Sequence, residues 1–122
     1  MEPGESATDD PSCLFCKIFR REIGAQEVVR SEDALVFRDL NPQAPTHLLA
    51  IPRRHAADLG DFVAAATKSE MAELLRVAAQ AGRAASGDGY RVVTNEGRDA
   101  GQTVAHVHLH VLAGRRLAWP PG

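Results

Sequence analysis

Three histidines on alternate positions, in His106-Val107-His108-Leu109-His110-Val111-Leu112, constrain this chain more than any other feature of it. An extended strand turns successive side chains to opposite faces. The alternation therefore predicts a strand with His106, His108 and His110 on one side and Val107, Leu109 and Val111 on the other. The aliphatic side must be the one that packs into a core. Each imidazole carries two ring nitrogens that need partners, so three of them on one face is an arrangement that packing alone would not produce. A solvated polar face or an adventitious metal site are the plain alternatives.

The chemical reading is nucleophilic. A neutral imidazole is a good nucleophile near pH 7 because its ordinary pKa is about 6.5. It can attack phosphorus, and the phosphoramidate that results is reactive enough for water to cleave. One residue must hold the ring so that one nitrogen faces the substrate, and neighbouring imidazoles can donate to phosphate oxygens. Upstream, Asn95-Glu96-Gly97 and Gly101-Gln102-Thr103 form a glycine-bearing loop. Glycines let backbone N–H groups approach an anion, so this loop is the expected phosphate cradle; an ordinary turn is the alternative.

The rest of the chain reads as a small α+β domain. Residues 1–12 are rich in Pro, Gly, Ser and Asp, which predicts a disordered tail ahead of a single domain over 13–122. Leu14, Phe15, Ile18 and Phe19 predict a short amphipathic helix. Two strands follow within 26–38, joined by a turn at Ser31-Glu32-Asp33. Asn41-Pro42-Gln43-Ala44-Pro45 is a rigid loop, and His47 to Ile51 is a buried strand. Thr67 and Glu70 form a capping box opening a long helix whose apolar face is Met71, Leu74, Leu75, Ala78 and Ala81, with Gly87 as its stop. Tyr90–Thr94 and Thr103–Leu112 are the last two strands.

A net charge of −2 argues against a non-specific nucleic-acid binder. No apolar run approaches the roughly 18–20 residues a membrane helix needs. Met1 to Glu5 has no secretory character, so the expected location is the cytoplasm. Cys13 and Cys16 are the only cysteines. In a reducing compartment a disulfide closing so short a loop is the weakest reading. Their spacing is that of half a zinc site, and the alternative is two unligated thiols packed in a helix.

The chain resembles the histidine triad (HIT) family, whose signature is three histidines alternating with apolar residues, and within it the Hint branch of purine nucleoside phosphoramidases. His106 to Leu112 matches the signature throughout. Cys13-Leu14-Phe15-Cys16-Lys17-Ile18, Asn41 to His47, Ile51-Pro52, Asn95-Glu96-Gly97, Gly101-Gln102 and Trp119-Pro120-Pro121-Gly122 are similar to that branch. The likeness runs from Cys13 to Gly122. It implies a HIT-like fold: a five-stranded antiparallel sheet with one long and one short helix, dimerising into a ten-stranded sheet. It implies hydrolysis of purine nucleoside 5′-phosphoramidates, of the AMP-lysine type, through a nucleotidyl-histidine.

The resemblance also implies residue roles. His108 is the expected nucleophile, with His106 and His110 flanking it and His47 supporting the network. Asn95, Gly101, Gln102 and Thr103 would hold the phosphate and leaving group, and Asp39 would accept from both ribose hydroxyls. Phe15, Ile18, Ile23, Phe37 and Leu40 would form the slot for the base; core packing is the alternative for each. Trp119 would reach toward a partner subunit's site. Catalysis needs no cofactor; Cys13, Cys16, His55 and His106 are the implied set for a structural zinc. Thr103 stands where the branch usually has serine, and Ala105 where an aromatic is common. A dinucleoside-polyphosphate hydrolase of the Fhit branch and a nucleotide-binding regulatory protein with little catalysis are the competing functions.

Overall fold

The computed structural model describes residues 9–122. Most of the predicted tail, residues 1–8, lies outside them; Asp10 to Ser12 make a turn in which Asp10 accepts from the Ser12 amide and hydroxyl. The described residues hold three helices: α1 (Leu14–Phe19), α2 (Leu59–Ala65) and α3 (Lys68–Ala85). The five strands are β1 (Glu27–Arg30), β2 (Ala34–Arg38), β3 (Thr46–Pro52), β4 (Tyr90–Val93) and β5 (Leu109–Ala113). They form one antiparallel sheet in the order β1-β2-β3-β5-β4.

The sheet is covered on both faces. Helix α3 packs Leu74, Val77, Ala78 and Ala81 against Val36, Leu48 and Val111. On the opposite face, α1 sets Phe15 and Ile18 against Leu35, Phe37, Leu49 and Ile51. β2 and β3 are therefore nearly continuous apolar runs, as strands buried on two sides must be.

Helix α3 begins as its sequence predicts. Thr67 Oγ1 accepts from the Glu70 amide at 3.1 Å, and Glu70 accepts from the Thr67 amide at 3.1 Å. Its buried face differs from expectation: Val77 and Gly82 are buried, while Leu75 is 62% exposed. The helix stops at Ser86, whose extended backbone ends it, one residue before Gly87.

Two corrections bear on the site. The expected count of one long and one short helix misses α2, which Asp58 caps by accepting from the Asp61 amide. Of its seven residues only Phe62 is buried. The last strand begins at Leu109 rather than Thr103, because residues before Leu109 have no ladder partner on β3 or β4. Alternation survives nonetheless: Val107, Leu109 and Val111 lie in the α3-side core. Among the described residues no helix is long and apolar enough to cross a membrane.

Candidate active site

The three histidines share the α1 face of the sheet. The ring centroids of His108 and His110 are 5.1 Å apart, and those of His47 and His110 also 5.1 Å. Phe15 from α1 meets His108 edge-on at 5.2 Å, so the helix roofs the histidine row.

Hydrogen bonds fix the proton on each ring. A carbonyl oxygen only accepts, so the 2.8 Å contact from His108 Nδ1 to the His106 carbonyl requires a proton on Nδ1, and the neutral ring then carries its lone pair on Nε2. The Gln43 amide donates to His47 Nδ1 at 2.9 Å. His47 Nε2 therefore carries the proton and donates to His110 Nδ1 at 2.8 Å. His110 in turn holds its proton on Nε2. The result is a bare nucleophilic nitrogen on His108 beside a donor on His110. Burial, then the neighbouring His108 and His47, pushes the His110 pKa down to about 4, and burial lowers that of His47. Both rings are neutral near pH 7. The cluster Asp39, His47 and His110 has the donor types of a cation site. Its two imidazoles, however, are engaged with each other through one proton.

A cavity of about 470 Å³ opens beside this row. It is lined by Phe15, Ile18, Ile23, Phe37, Asp39, Leu40, His47, Thr103, His108 and His110, all expected from sequence. Phe15, Ile18 and Phe37 form its buried apolar wall, whereas Leu40 is 97% exposed and can only be a rim. Asp39 closes the polar end: one carboxylate oxygen accepts from the Asn41 amide at 2.8 Å, and the other lies 3.4 Å from His47 Nε2. Gln43, which sequence reasoning passed over, belongs here through its backbone N–H; the proline-flanked loop that holds it was the available signal.

Asn95, Gly101, Gln102, Trp119 and His106, also expected at the site, lie elsewhere. Gln102 faces its own loop: its carbonyl oxygen accepts from the Gly97 amide, and its NH₂ donates to the carbonyls of Val104 and Ala57. The backbone N–H groups of Gly101 and Gln102 are bonded to the carbonyls of Arg98 and Gly97. These amides are thus engaged within the loop, with Gly97 and Gly101 at φ of 88° and 86° where a side chain would strain it. Glu96 ties it to α2 by accepting from the Gly60 amide. Asn95 lines a second cavity across His110. Trp119 is 78% exposed and lies against the Arg91 guanidinium.

His106 points away from the large cavity into a cluster with Cys13, Cys16 and His55. Its Nε2–H donates to the Pro52 carbonyl at 3.0 Å, so Nδ1 is bare and faces both sulfurs. His106 Nδ1 lies 3.2 Å from Cys13 Sγ and 3.6 Å from Cys16 Sγ, and His55 Nδ1 lies 3.3 Å from His106 Nδ1 and 3.6 Å from Cys16 Sγ. Tetrahedral zinc with bonds of about 2.0–2.3 Å would set its ligands roughly 3.3–3.8 Å apart. The donor set fits that ion. Burial pushes the Cys16 thiol up to about 12 and His106 down to about 4; a divalent cation would reverse the first by favouring the thiolate and reinforce the second by favouring the neutral imidazole.

A sequence profile of the HIT domain matches residues 20–117. An uncharacterised 13.2 kDa HIT-like protein of Azospirillum brasilense is 48% identical over 112 residues, covering 90% of this chain and 92% of that protein. A 14 kDa zinc-binding protein of Zea mays is 42% identical over 116 residues, covering 93% and 91%. A solved structure of a HIT family hydrolase from Legionella pneumophila Philadelphia 1 superposes with a TM-score of 0.81 at 44% identity, covering 91% of this chain and 100% of that one.

Proposed function

The chain belongs to the HIT domain family, and from that premise we infer that it is a hydrolase of purine nucleoside 5′-phosphoramidates. The observation that carries this reading is the unprotonated Nε2 of His108 beside the Nε2–H of His110, at a cavity with an apolar wall and a carboxylate. The purine lies between Phe15, Ile18 and Phe37. Asp39, an acceptor with two oxygens, takes the ribose diol. His110 donates to an α-phosphate oxygen.

His108 Nε2 attacks the α-phosphorus, forming a P–N bond to the ring as the bond to the amine breaks. The amine leaves with a proton passed through Thr103 and the histidine network. The His106 carbonyl, hydrogen-bonded to His108 Nδ1–H, stabilises the positive charge that develops on the ring. Water then attacks phosphorus, the bond to His108 breaks and AMP or GMP departs. Fixing base, ribose and phosphate can supply ~7–11 kcal/mol by orientation, and donors aimed at the phosphoryl charge supply more.

Zinc held by Cys13, Cys16, His55 and His106 would be structural, joining α1 to the sheet. It would also hold the residue whose carbonyl orients His108. The working form is a cytoplasmic homodimer with its sheets continuous. The test is His108→Ala: hydrolysis of adenosine 5′-phosphoramidate falls to background while AMP binding is kept, and rapid denaturation of the unaltered protein at alkaline pH traps a nucleotide on His108. Turnover surviving in His108→Ala would overturn the assignment.

A further inference from the structure

A second cavity of about 270 Å³ shares Gln43, His47 and His110 with the first, and continues to Arg91, Asn95, Leu112 and Pro121. Strand register explains how the two meet. Arg91 pairs with Leu112, and Leu112 with His47, so these three side chains form a row across β4, β5 and β3 on the histidine face. Along β5 and the residues before it, positions 108, 110 and 112 succeed one another at roughly 6.7 Å. The nucleophile, the phosphate donor and the floor of the second cavity therefore lie in one line. A displacement at phosphorus sends its leaving group away from the attacking atom, which from His108 is toward Leu112 and Arg91.

Arg91 is the only charged residue lining that cavity. Among the described residues it forms no ion pair or side-chain hydrogen bond, as is also true of Arg38 at the first cavity, whereas Arg115 donates to the Gln43 carbonyl. Its guanidinium lies 5.7 Å over the Trp119 ring, which orders the side chain while leaving its N–H donors free. An unpaired, braced guanidinium at the end of a leaving-group path is a receptor for an oxyanion.

We propose that the second cavity is the leaving-group subsite and that Arg91 selects substrates whose leaving group bears an oxyanion, a carboxylate or a phosphate, several bonds from the scissile nitrogen or oxygen. This rests on the phosphoramidate hydrolase reading above and names the substrate class for the same site. The apolar cavity reads the nucleoside; Arg91, on the other side of His110, reads what is attached to it.

The experiment compares adenosine 5′-phosphoramidates of β-alanine and of its neutral amide, with diadenosine tetraphosphate as the phosphate-bearing arm. The unaltered protein should favour the carboxylate over the amide in kcat/KM by about tenfold, a ratio that Arg91→Gln brings near one and Arg91→Lys partly restores. Selective loss of diadenosine tetraphosphate cleavage in Arg91→Gln would identify the oxyanion as phosphate. A carboxylate-to-amide ratio and a tetraphosphate activity both indifferent to Arg91, whatever the absolute rates do, overturn the proposal. Binding separates this from the hydrolase reading: Trp119 is the only tryptophan, and its fluorescence reports affinity in the His108→Ala background without turnover. Tighter binding of the carboxylate there, lost on adding Arg91→Gln, supports the subsite even if no phosphoramidate is hydrolysed. Equal affinities in both backgrounds, with diadenosine tetraphosphate likewise unaffected by Arg91→Gln, refute it even if hydrolysis is fast.

Discussion

Replacing Gly82 by alanine sets two opposed terms against each other. Gly82 is buried in α3, an interior helical position where alanine should gain about 0.8–1.0 kcal/mol over glycine. A Cβ built there, however, would meet the Tyr90 ring at the start of β4, coming within 2.6 Å of its Cγ and Cε2. Carbon contacts are comfortable at about 3.5–4.0 Å, so helix and strand would have to part by an ångström or so. Overpacking of that kind typically costs about 1–3 kcal/mol, and it acts on a strand anchored beside Arg91. The net expectation is destabilisation by roughly 1–2 kcal/mol at the upper end of that range. Unfolding entropy near 2.1 cal/mol/K per residue gives this chain about 0.25 kcal/mol per degree, hence a fall in Tm of roughly 4–8 °C. Circular dichroism melts and urea titrations of Gly82→Ala, Tyr90→Ala and the double variant would measure it. With the ring removed, alanine at 82 should become stabilising by about its helix preference. A higher Tm for Gly82→Ala in the otherwise unaltered protein would refute the reasoning.

Glu70→Gln should cost about 2–4 kcal/mol in urea titrations, because it breaks a largely buried, two-pronged pair with Arg54 at 2.7 and 3.0 Å while leaving an amide oxygen for the capping box of α3. The Arg54 guanidinium holds the Glu70 carboxyl down at about 2; that stabilisation is present above the ordinary value near 4.5, is lost as pH falls through about 2, and should vanish from the pH profile in Glu70→Gln. His110 has its folded pKa lowered to about 4, so its neutral form favours the fold above pH 6.5, and stability declines as pH falls from there through about 4; His110→Phe should flatten that part of the curve. Metal analysis of the purified protein should find one zinc per chain, and chelation should lower Tm and expose two reactive thiols. Metal-free protein with the same Tm would remove zinc from the Cys13, Cys16, His55 and His106 cluster.

Much of the site was legible because it is written in local patterns. The alternation from His106 to Val111 assigns each side chain to a face even where the ladder is absent, since opposite faces follow from extended backbone and not from pairing. Thr67 with Glu70 announced α3, and the apolar residues of α1 announced a helix with one side to bury. What sequence could not show was direction within a site. Gln102 has the right chemistry to bind a phosphate, but its amide is satisfied by loop carbonyls and by Ala57, a neighbour brought in by the unforeseen helix α2.

The sequence by itself determined which imidazoles stand together, because a two-residue period depends only on adjacent residues. Tertiary structure alone decided where the protons of His106 and His110 sit, whereas that of His108 follows from a carbonyl two residues away. His106 is set by the Pro52 carbonyl, 54 positions away, and His110 by His47, 63 positions away, itself set by a backbone N–H of the proline-flanked loop. A neutral imidazole takes its tautomer from its hydrogen-bond partners, and those partners are chosen by strand order.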